Sequence, residues 1–295
     1  MKRTKVNTKK PIAILVGDIH LRETQPVARL DDFWETQWRK INWLKRMQQK
    51  YDCPVWCSGD LFHHWKPSPF LLSKAMQHLP KDFHLVYGNH DLPQHSLENA
   101  EKSGVYALQQ AGAVNILPGC HWGEMPGEGS IFIPGKDYTV LVWHVMTWWK
   151  ELPYPGCPDP DAARLLKKYN NFNLILTGHN HIPFAITHGG RWLVNPGSFT
   201  RQGADETHEP RVYLYYGDSV EPLYVPIDEN PVLSREHLDD KKKRDERIDA
   251  FVSRLNSDWE TSVSFEENLE RFFASNEIET EIKNVIYKAI DYETK

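Results

Sequence analysis

Short apolar runs recur through the first two thirds of the chain, and each ends on a cluster of Gly, Asp, Asn or His. Residues 12–16, 55–57, 84–87, 139–143 and 174–177 read as buried β-strands, because runs this short and this apolar leave no solvent-facing side. Between them, apolar positions three and four apart mark helices. Residues 31–50 place Trp34, Trp38, Ile41, Leu44 and Met47 on one face, and 68–79 and 96–111 each open on a serine suited to cap a first turn. Alternating strands and helices predict an α/β fold. From about Ile131 the strands shorten, at 184–187, 191–194, 211–216 and 220–225, with one helix at 159–169. Gly189-Gly190 is a strong hairpin-turn signal.

After Pro231 the pattern becomes polar and helical. Residues 238–255 carry Ile248, Phe251, Val252 and Leu255 on one face, and 265–274 and 278–290 follow as two amphipathic segments. This divides the chain into a body, 1–230, and a helical tail, 231–295, read as a small cap or a partner-binding segment. Leu269, Phe272, Phe273, Ile278, Ile282, Val285 and Ile286 give the tail more apolar positions than isolated helices need. Either a partner or the body must cover them.

The 295 residues, 40% hydrophobic and 25% charged, suit an ordinary globular protein. The basic start, Met1 to Lys10, is followed by an apolar run that stops at Val16, too short for a signal-peptide core. No segment approaches membrane-spanning length, so the expectation is a cytoplasmic protein without membrane contact. Cys53, Cys57, Cys120 and Cys157 match neither zinc-ribbon nor redox-pair spacing, and Cys53 and Cys57, which bracket an apolar strand, read as small buried hydrophobes. The net charge of −5 resides in the tail, leaving the body formally neutral. Charge alone therefore does not select a nucleic acid as partner.

The polar clusters carry the chemistry. Asp18-Ile19-His20, Gly59-Asp60, Gly88-Asn89-His90-Asp91, His144 and Gly178-His179-Asn180-His181 each follow an apolar run. Ligands at the carboxyl ends of successive strands converge on one sheet edge. The inventory is two carboxylates, Asp18 and Asp60, the Asn89 amide, and the imidazoles of His20, His144, His179 and His181. It fits two divalent cations about 3.5 to 4 Å apart with a bridging anionic ligand. Mixed imidazole and carboxylate donors favour manganese, iron or zinc over calcium. Manganese is the expectation, with iron, zinc or magnesium as alternatives.

In this order the motifs resemble the calcineurin-like metallophosphoesterases over residues 12 to about 217. The resemblance implies a four-layer α-β-β-α sandwich, here with a helical C-terminal appendage. It implies one metal on Asp18, His20 and His181, a second on Asn89, His144 and His179, and Asp60 as the bridge. It further implies that a hydroxide shared by the metals attacks, that His90 protonates the leaving oxygen, and that Asp91 holds the His90 ring. Residues 59–68, Gly-Asp-Leu-Phe-His-His-Trp-Lys-Pro-Ser, resemble the SbcD-type nuclease subunits that repair double-strand breaks beside SMC-like ATPases. There a histidine at the position of His63 orients the substrate phosphate. Asn195-Pro196-Gly197-Ser198 matches a turn close to the family's site.

Three further positions keep two readings each. His64 is a substrate contact or a surface loop residue; Arg201 grips a phosphate or forms a structural ion pair. Trp65, like Trp148 and Trp149, stacks on bases or packs as ordinary aromatic. The expected function is a two-metal phosphodiesterase acting on DNA in repair, recombination or phage DNA metabolism. The SMC-like ATPase would bind through the C-terminal helices, and a homodimer is an alternative. Only about 70 residues follow the body, too few for both a full cap and a coiled-coil grip. The rival functions are hydrolysis of small phosphodiesters or phosphomonoesters, and a non-catalytic scaffold acting through its tail.

Overall fold

The computed structural model describes residues 9–127, 138–153, 155–227, 233–257, 265–275 and 278–293. The chain forms two compact units, residues 1–234 and 235–295. The division follows Leu233 and Ser234, which still belong to the first unit: Leu233 bridges Arg29, and the Ser234 amide donates to the Ala28 carbonyl at 2.7 Å.

The first unit holds two sheets. β1 (Ala13–Val16), β2 (Val55–Cys57), β3 (Phe83–Leu85) and β4 (Asn115–Ile116) run parallel, and β9 (Arg211–Tyr215) and β10 (Val220–Tyr224) extend the sheet antiparallel beyond β1. The second sheet has the order β5 (Val140–Trp143), β6 (Leu174–Thr177), β8 (Arg191–Asn195), β7 (Phe184–His188). Side chains alternate across a strand, so each sheet has two apolar faces to cover. Ala13, Leu15 and Trp56 of one sheet meet Val140, Val142, Leu174 and Leu176 of the other in a shared core. Ile14, Val16, Val55 and Cys57 face outward onto helices α1 (Phe33–Tyr51), α2 (Pro69–His78) and α3 (Gly104–Gln110). Leu141 and Ile175 pack on α4 (Ala162–Lys168). The result is the four-layer α-β-β-α sandwich.

Helix starts follow their caps. Asp32 accepts from the Glu35 amide at 3.0 Å to open α1, and Ser68 accepts from Leu71 at 3.1 Å to open α2. The helix expected over 96–111 is broken: a 3₁₀ segment, Leu97–Lys102, precedes α3, and Ser103 rather than Ser96 caps. The Gly104 amide donates to the Trp65 carbonyl at 2.8 Å, and a Cβ there would lie 2.3 Å from Pro67. That tether takes the amide out of the helical ladder and forces a restart. Strand β4, two residues long, was too short to show alternation. Cys53, Cys57 and Cys120 are buried in the core, whereas Cys157 is half-buried, its thiol donating to Asp159 Oδ2 at 3.4 Å.

The second unit comprises α5 (Glu236–Ser257), α6 (Phe265–Ser275) and α7 (Thr280–Glu293). Leu269, Phe272 and Phe273 of α6 form its core, with Ile278 and Ile286 packed against them, and the rings of Phe273 and Tyr287 meet edge to face at 5.6 Å. Ile282 and Val285 of α7 stay exposed, Val285 by 67%. The side chains of Phe251, Val252 and Leu255, expected to share one face, lie outside the described residues. Among the described residues no helix is long and apolar enough to cross a membrane.

Candidate metal centre

The loops that leave β1, β2, β5 and β6, with the loop that follows β3, meet at one edge of the sandwich. Their backbones adopt conformations that side-chain-bearing residues rarely take: φ is +48° at Asp18, +51° at His20, +54° at Asp60 and +71° at His179. Such strain persists only where the surroundings over-determine it, and it gathers at functional sites. Two glycines permit the close approach. A Cβ on Gly88 would stand 2.1 Å from Asp60 Oδ1, and one on Gly59 would stand 2.6 Å from His144 Nδ1.

The seven side chains singled out in the sequence lie together here, in two adjacent groups. Asp18, His20 and His181 form one, with His20 Nε2 and His181 Nε2 only 3.2 Å apart and His181 Nε2 3.9 Å from Asp18 Oδ1. Asp60, His144 and His179 form the other. Asn89 joins it, with Oδ1 3.1 Å from His144 Nε2 and 3.0 Å from His179 Nδ1. Asp60 Oδ2 lies between the groups, 3.5 Å from His20 Nε2 and 3.5 Å from His144 Nε2.

This arrangement fits a pair of cations better than it fits protons. His20 Nε2 and His181 Nε2 face each other at 3.2 Å beside two buried carboxylates, a convergence of donor atoms that a cation can share. Asp18 Oδ2 is buried with no hydrogen-bond partner among the described residues. Asp18 and Asp60 are inaccessible to solvent, and buried carboxylates are paired or coordinate metal.

Outer contacts set which nitrogen faces the centre. His144 Nδ1–H donates to the Ser58 carbonyl at 2.7 Å, leaving Nε2 for the cluster. His181 Nδ1–H donates to Glu206 Oε1 at 2.6 Å, the carboxylate–imidazole pairing that orients metal-binding histidines elsewhere. The sequence reading missed Glu206. It lies 25 residues beyond His181, in no motif and on no periodic face. Replacing it with Gln should weaken cation binding by about 10 to 100-fold, the usual cost of losing such a partner. A titration of bound metal against a competing chelator measures this.

Electrostatics follow from the packing. Burial raises the Asp18 carboxyl to about 6 against the opposing pull of His181 and His144. Burial also opposes ionisation of Asp60, but His144 and His20 overcome it and hold the group well below the usual carboxylate range. Burial disfavours charge on His144 and His181, yet Asp60 raises the first to about 9, and Glu206 with Asp18 raises the second to about 9. Without cations these two imidazoles carry protons at neutral pH. Cation binding should therefore release up to about one proton from each at pH 7, and less as the pH passes 9. Affinity should rise with pH across that interval. Calorimetry in buffers of different ionisation enthalpy counts the protons.

A third imidazole group stands beside the first. One ring nitrogen from each of His20, His63 and His90 lies within 4.8 Å of the other two. His63 and His90 stack with centroids 5.5 Å apart, and His90 meets His20 edge to face at 4.7 Å. His90 Nδ1 pairs with the His63 carbonyl at 2.8 Å. Among the described residues Asp91 forms no hydrogen bond to the His90 ring, which is the role the resemblance implies for it. It accepts instead from the amides of Gly88 at 3.0 Å, Phe62 at 3.1 Å and Leu61 at 3.3 Å. Asp91 thus ties the β2 loop to the β3 loop, because three amides converge on it before any ring can.

The remaining expected positions fall outside the cluster. Arg201 is buried, with Nη1 donating to the His208 carbonyl at 3.2 Å and Nε without a hydrogen-bond partner among the described residues. His64 is exposed, with Nδ1 accepting from the Lys66 amide at 3.2 Å. Trp65 packs against His64, and Trp148 donates to the Asp159 carbonyl at 2.9 Å. The aromatic at the cluster is Trp122, 4.8 Å from the His179 ring and unforeseen in the sequence. The turn at 195–198 braces the site from below: Ser198 donates to the His181 carbonyl at 3.0 Å and Phe199 to that of Asp18 at 3.2 Å.

Residues 12–215 match the Calcineurin-like phosphoesterase superfamily domain. The chain belongs to the calcineurin-like phosphoesterase superfamily. Similar solved structures include an archaeal phosphodiesterase at 11% identity, with a TM-score of 0.43 over 72% of this chain and 99% of that one. A putative 5'-nucleotidase from Staphylococcus aureus gives 14% identity and a TM-score of 0.45 over 79% and 58%. A single mutant of Vps29 from Entamoeba histolytica gives 15% and 0.35 over 73% and 99%. No curated protein sequence matches the chain. As in this superfamily generally, the His and Asp groups offer a site for divalent metal, and the chemistry is that of phosphoester hydrolysis.

Proposed function

We propose that this calcineurin-like phosphoesterase is a two-metal phosphodiesterase acting on DNA, a nuclease of the SbcD type. Asp18, His20 and His181 would hold one cation, Asn89, His144 and His179 the other, with Asp60 shared and manganese as the metal. The cations would supply Lewis acidity and lower the pKa of coordinated water.

The observation that carries this reading is the pairing of His63 and His90 beside His20. Both imidazoles are surplus to the two ligand sets. A diester releases an alkoxide, which must be protonated, and imidazole is the side chain suited to do so near neutrality. With Nδ1 engaged by the His63 carbonyl, His90 keeps Nε2 for that proton. Arg22 adds a second support. Together with burial, this half-buried guanidinium disfavours charge on His63, and among the described residues its side chain bonds the neutral oxygens of Thr24 and Gln202. A cation in that position suits an anionic substrate. The preference for DNA over a small ester rests on the SbcD-like run at 59–68.

The deciding assay offers the purified protein, with manganese, linear duplex DNA, single-stranded DNA and bis-p-nitrophenyl phosphate. Cleavage of DNA is expected. Turnover of the small ester with no cleavage of either DNA would overturn the nuclease reading and favour a small-phosphodiester hydrolase.

The tail would serve a coiled-coil ATPase of the SMC type, a reading supported by the exposed Ile282 and Val285. Deleting 235–295 should leave a soluble body with its Tm within a few degrees and small-ester turnover intact, while partner-dependent DNA degradation disappears. Aggregation of the truncated chain during a thermal melt would show that the tail covers the body instead.

A further inference from the structure

Helices α1 and α2 lie side by side on the outer face of the six-stranded sheet, and between them opens a cleft of about 420 Å³. Trp34 and Trp38 line it, Arg39, Arg46 and Lys74 edge it, and Glu35 is the acid in its lining. None of these residues takes part in the metal centre.

Three aromatic rings form a ladder from the core to solvent. Trp38 is buried and meets Trp34 edge to face at 5.4 Å; Trp34 stacks on Phe70 at 5.5 Å with planes 18° apart; and Phe70 is 54% exposed. The Trp38 indole N–H is buried with no acceptor among the described residues. Lys74 Nζ stands 5.8 Å above the Phe70 ring, and neither Lys74 nor Arg46 has an acidic partner among the described residues.

We propose that this cleft and the exposed Phe70 ring beside it bind single-stranded DNA, stacking a base on Phe70 at the solvent end of the ladder and placing flanking phosphates on Arg46 and Lys74. Exposed aromatics bordered by cations are how proteins hold single strands without reading their sequence. The cations lie on both helices and flank a ladder that ends in solvent, so the feature is a track rather than an enclosed nucleotide pocket. A second copy of the chain fits less well, because a two-fold contact here would set Arg46 and Lys74 against their own like charges. The inference adds a strand-binding surface to the nuclease reading, and its test involves no hydrolysis.

The test is fluorescence anisotropy of a short labelled oligothymidylate with the full-length protein in EDTA. Phe70→Ala should weaken binding by about tenfold or more, the usual effect of losing a stacking ring. Arg46→Gln with Lys74→Gln should flatten the salt dependence of log K by about 0.7 per cation removed. Thermal melts should show all variants folded, since the three side chains reach solvent. Four results would overturn the proposal: no binding by the wild type, variants that bind as tightly as it does, thymidine monophosphate competing as well as the strand, or a wild-type dimer that Phe70→Ala separates. Loss of DNA cleavage with this binding intact would count against the nuclease reading alone.

Discussion

Asp60→Asn should yield a folded protein without hydrolytic activity. Asp60 Oδ1 accepts from the His90 amide at 2.9 Å, a bond that an asparagine carbonyl keeps. Asp60 Oδ2, equidistant from His20 Nε2 and His144 Nε2, would become an NH2 group, which has no lone pair to offer a cation. Both proposed metal positions lose their shared anion, so both should bind more weakly. The cations are asked for several kcal/mol of transition-state stabilisation, and each 1.36 kcal/mol is about a factor of ten. The rate should therefore fall by at least about 10³-fold, with metal content below two per chain. An Asp60→Asn protein with two tightly held metals and near-normal turnover would disprove the bridging assignment.

His90→Gln should separate catalysis from metal binding. The His90 backbone bond to Asp60 survives the substitution, and no ligand of either set is removed. Metal content should stay near two per chain while DNA cleavage slows by about 10² to 10⁴-fold, the range for loss of a general acid. Bis-p-nitrophenyl phosphate should suffer much less, because p-nitrophenolate leaves without a proton. Equal losses on both substrates would remove His90 from the acid's role and make it a positioning residue for the phosphate.

Much of this architecture was legible because metal ligands are chemically conspicuous and strand ends are easily marked. The runs before Asp18, Asp60, His144 and His179 became strands within a residue of their expected bounds, since each is buried on both faces and so uninterrupted by polar residues. The groups around the ligands were not legible. Glu206 orients His181 from a loop without periodicity, and the Ser58 carbonyl that fixes the His144 tautomer belongs to the backbone, which no side-chain pattern reports. Asp91 read as the orienting partner of its neighbour His90, but adjacent residues need not face each other, and three amides claimed its oxygens. Ser96 read as the cap of one helix over 96–111, but α3 starts behind Ser103, where the Gly104 amide is tethered to the Trp65 carbonyl. Long-range contacts of this kind decide the details of a site whose main ligands local sequence already displays.

The most direct measurement of the central claim is the number of divalent cations bound per chain by the full-length protein, followed against phosphodiester turnover as manganese is added back after chelation. The account predicts no turnover in the chelated protein, two manganese ions bound at saturation, and activity that appears only as the second site fills. Turnover that survives complete chelation, or saturation at a single cation with full activity, would contradict it.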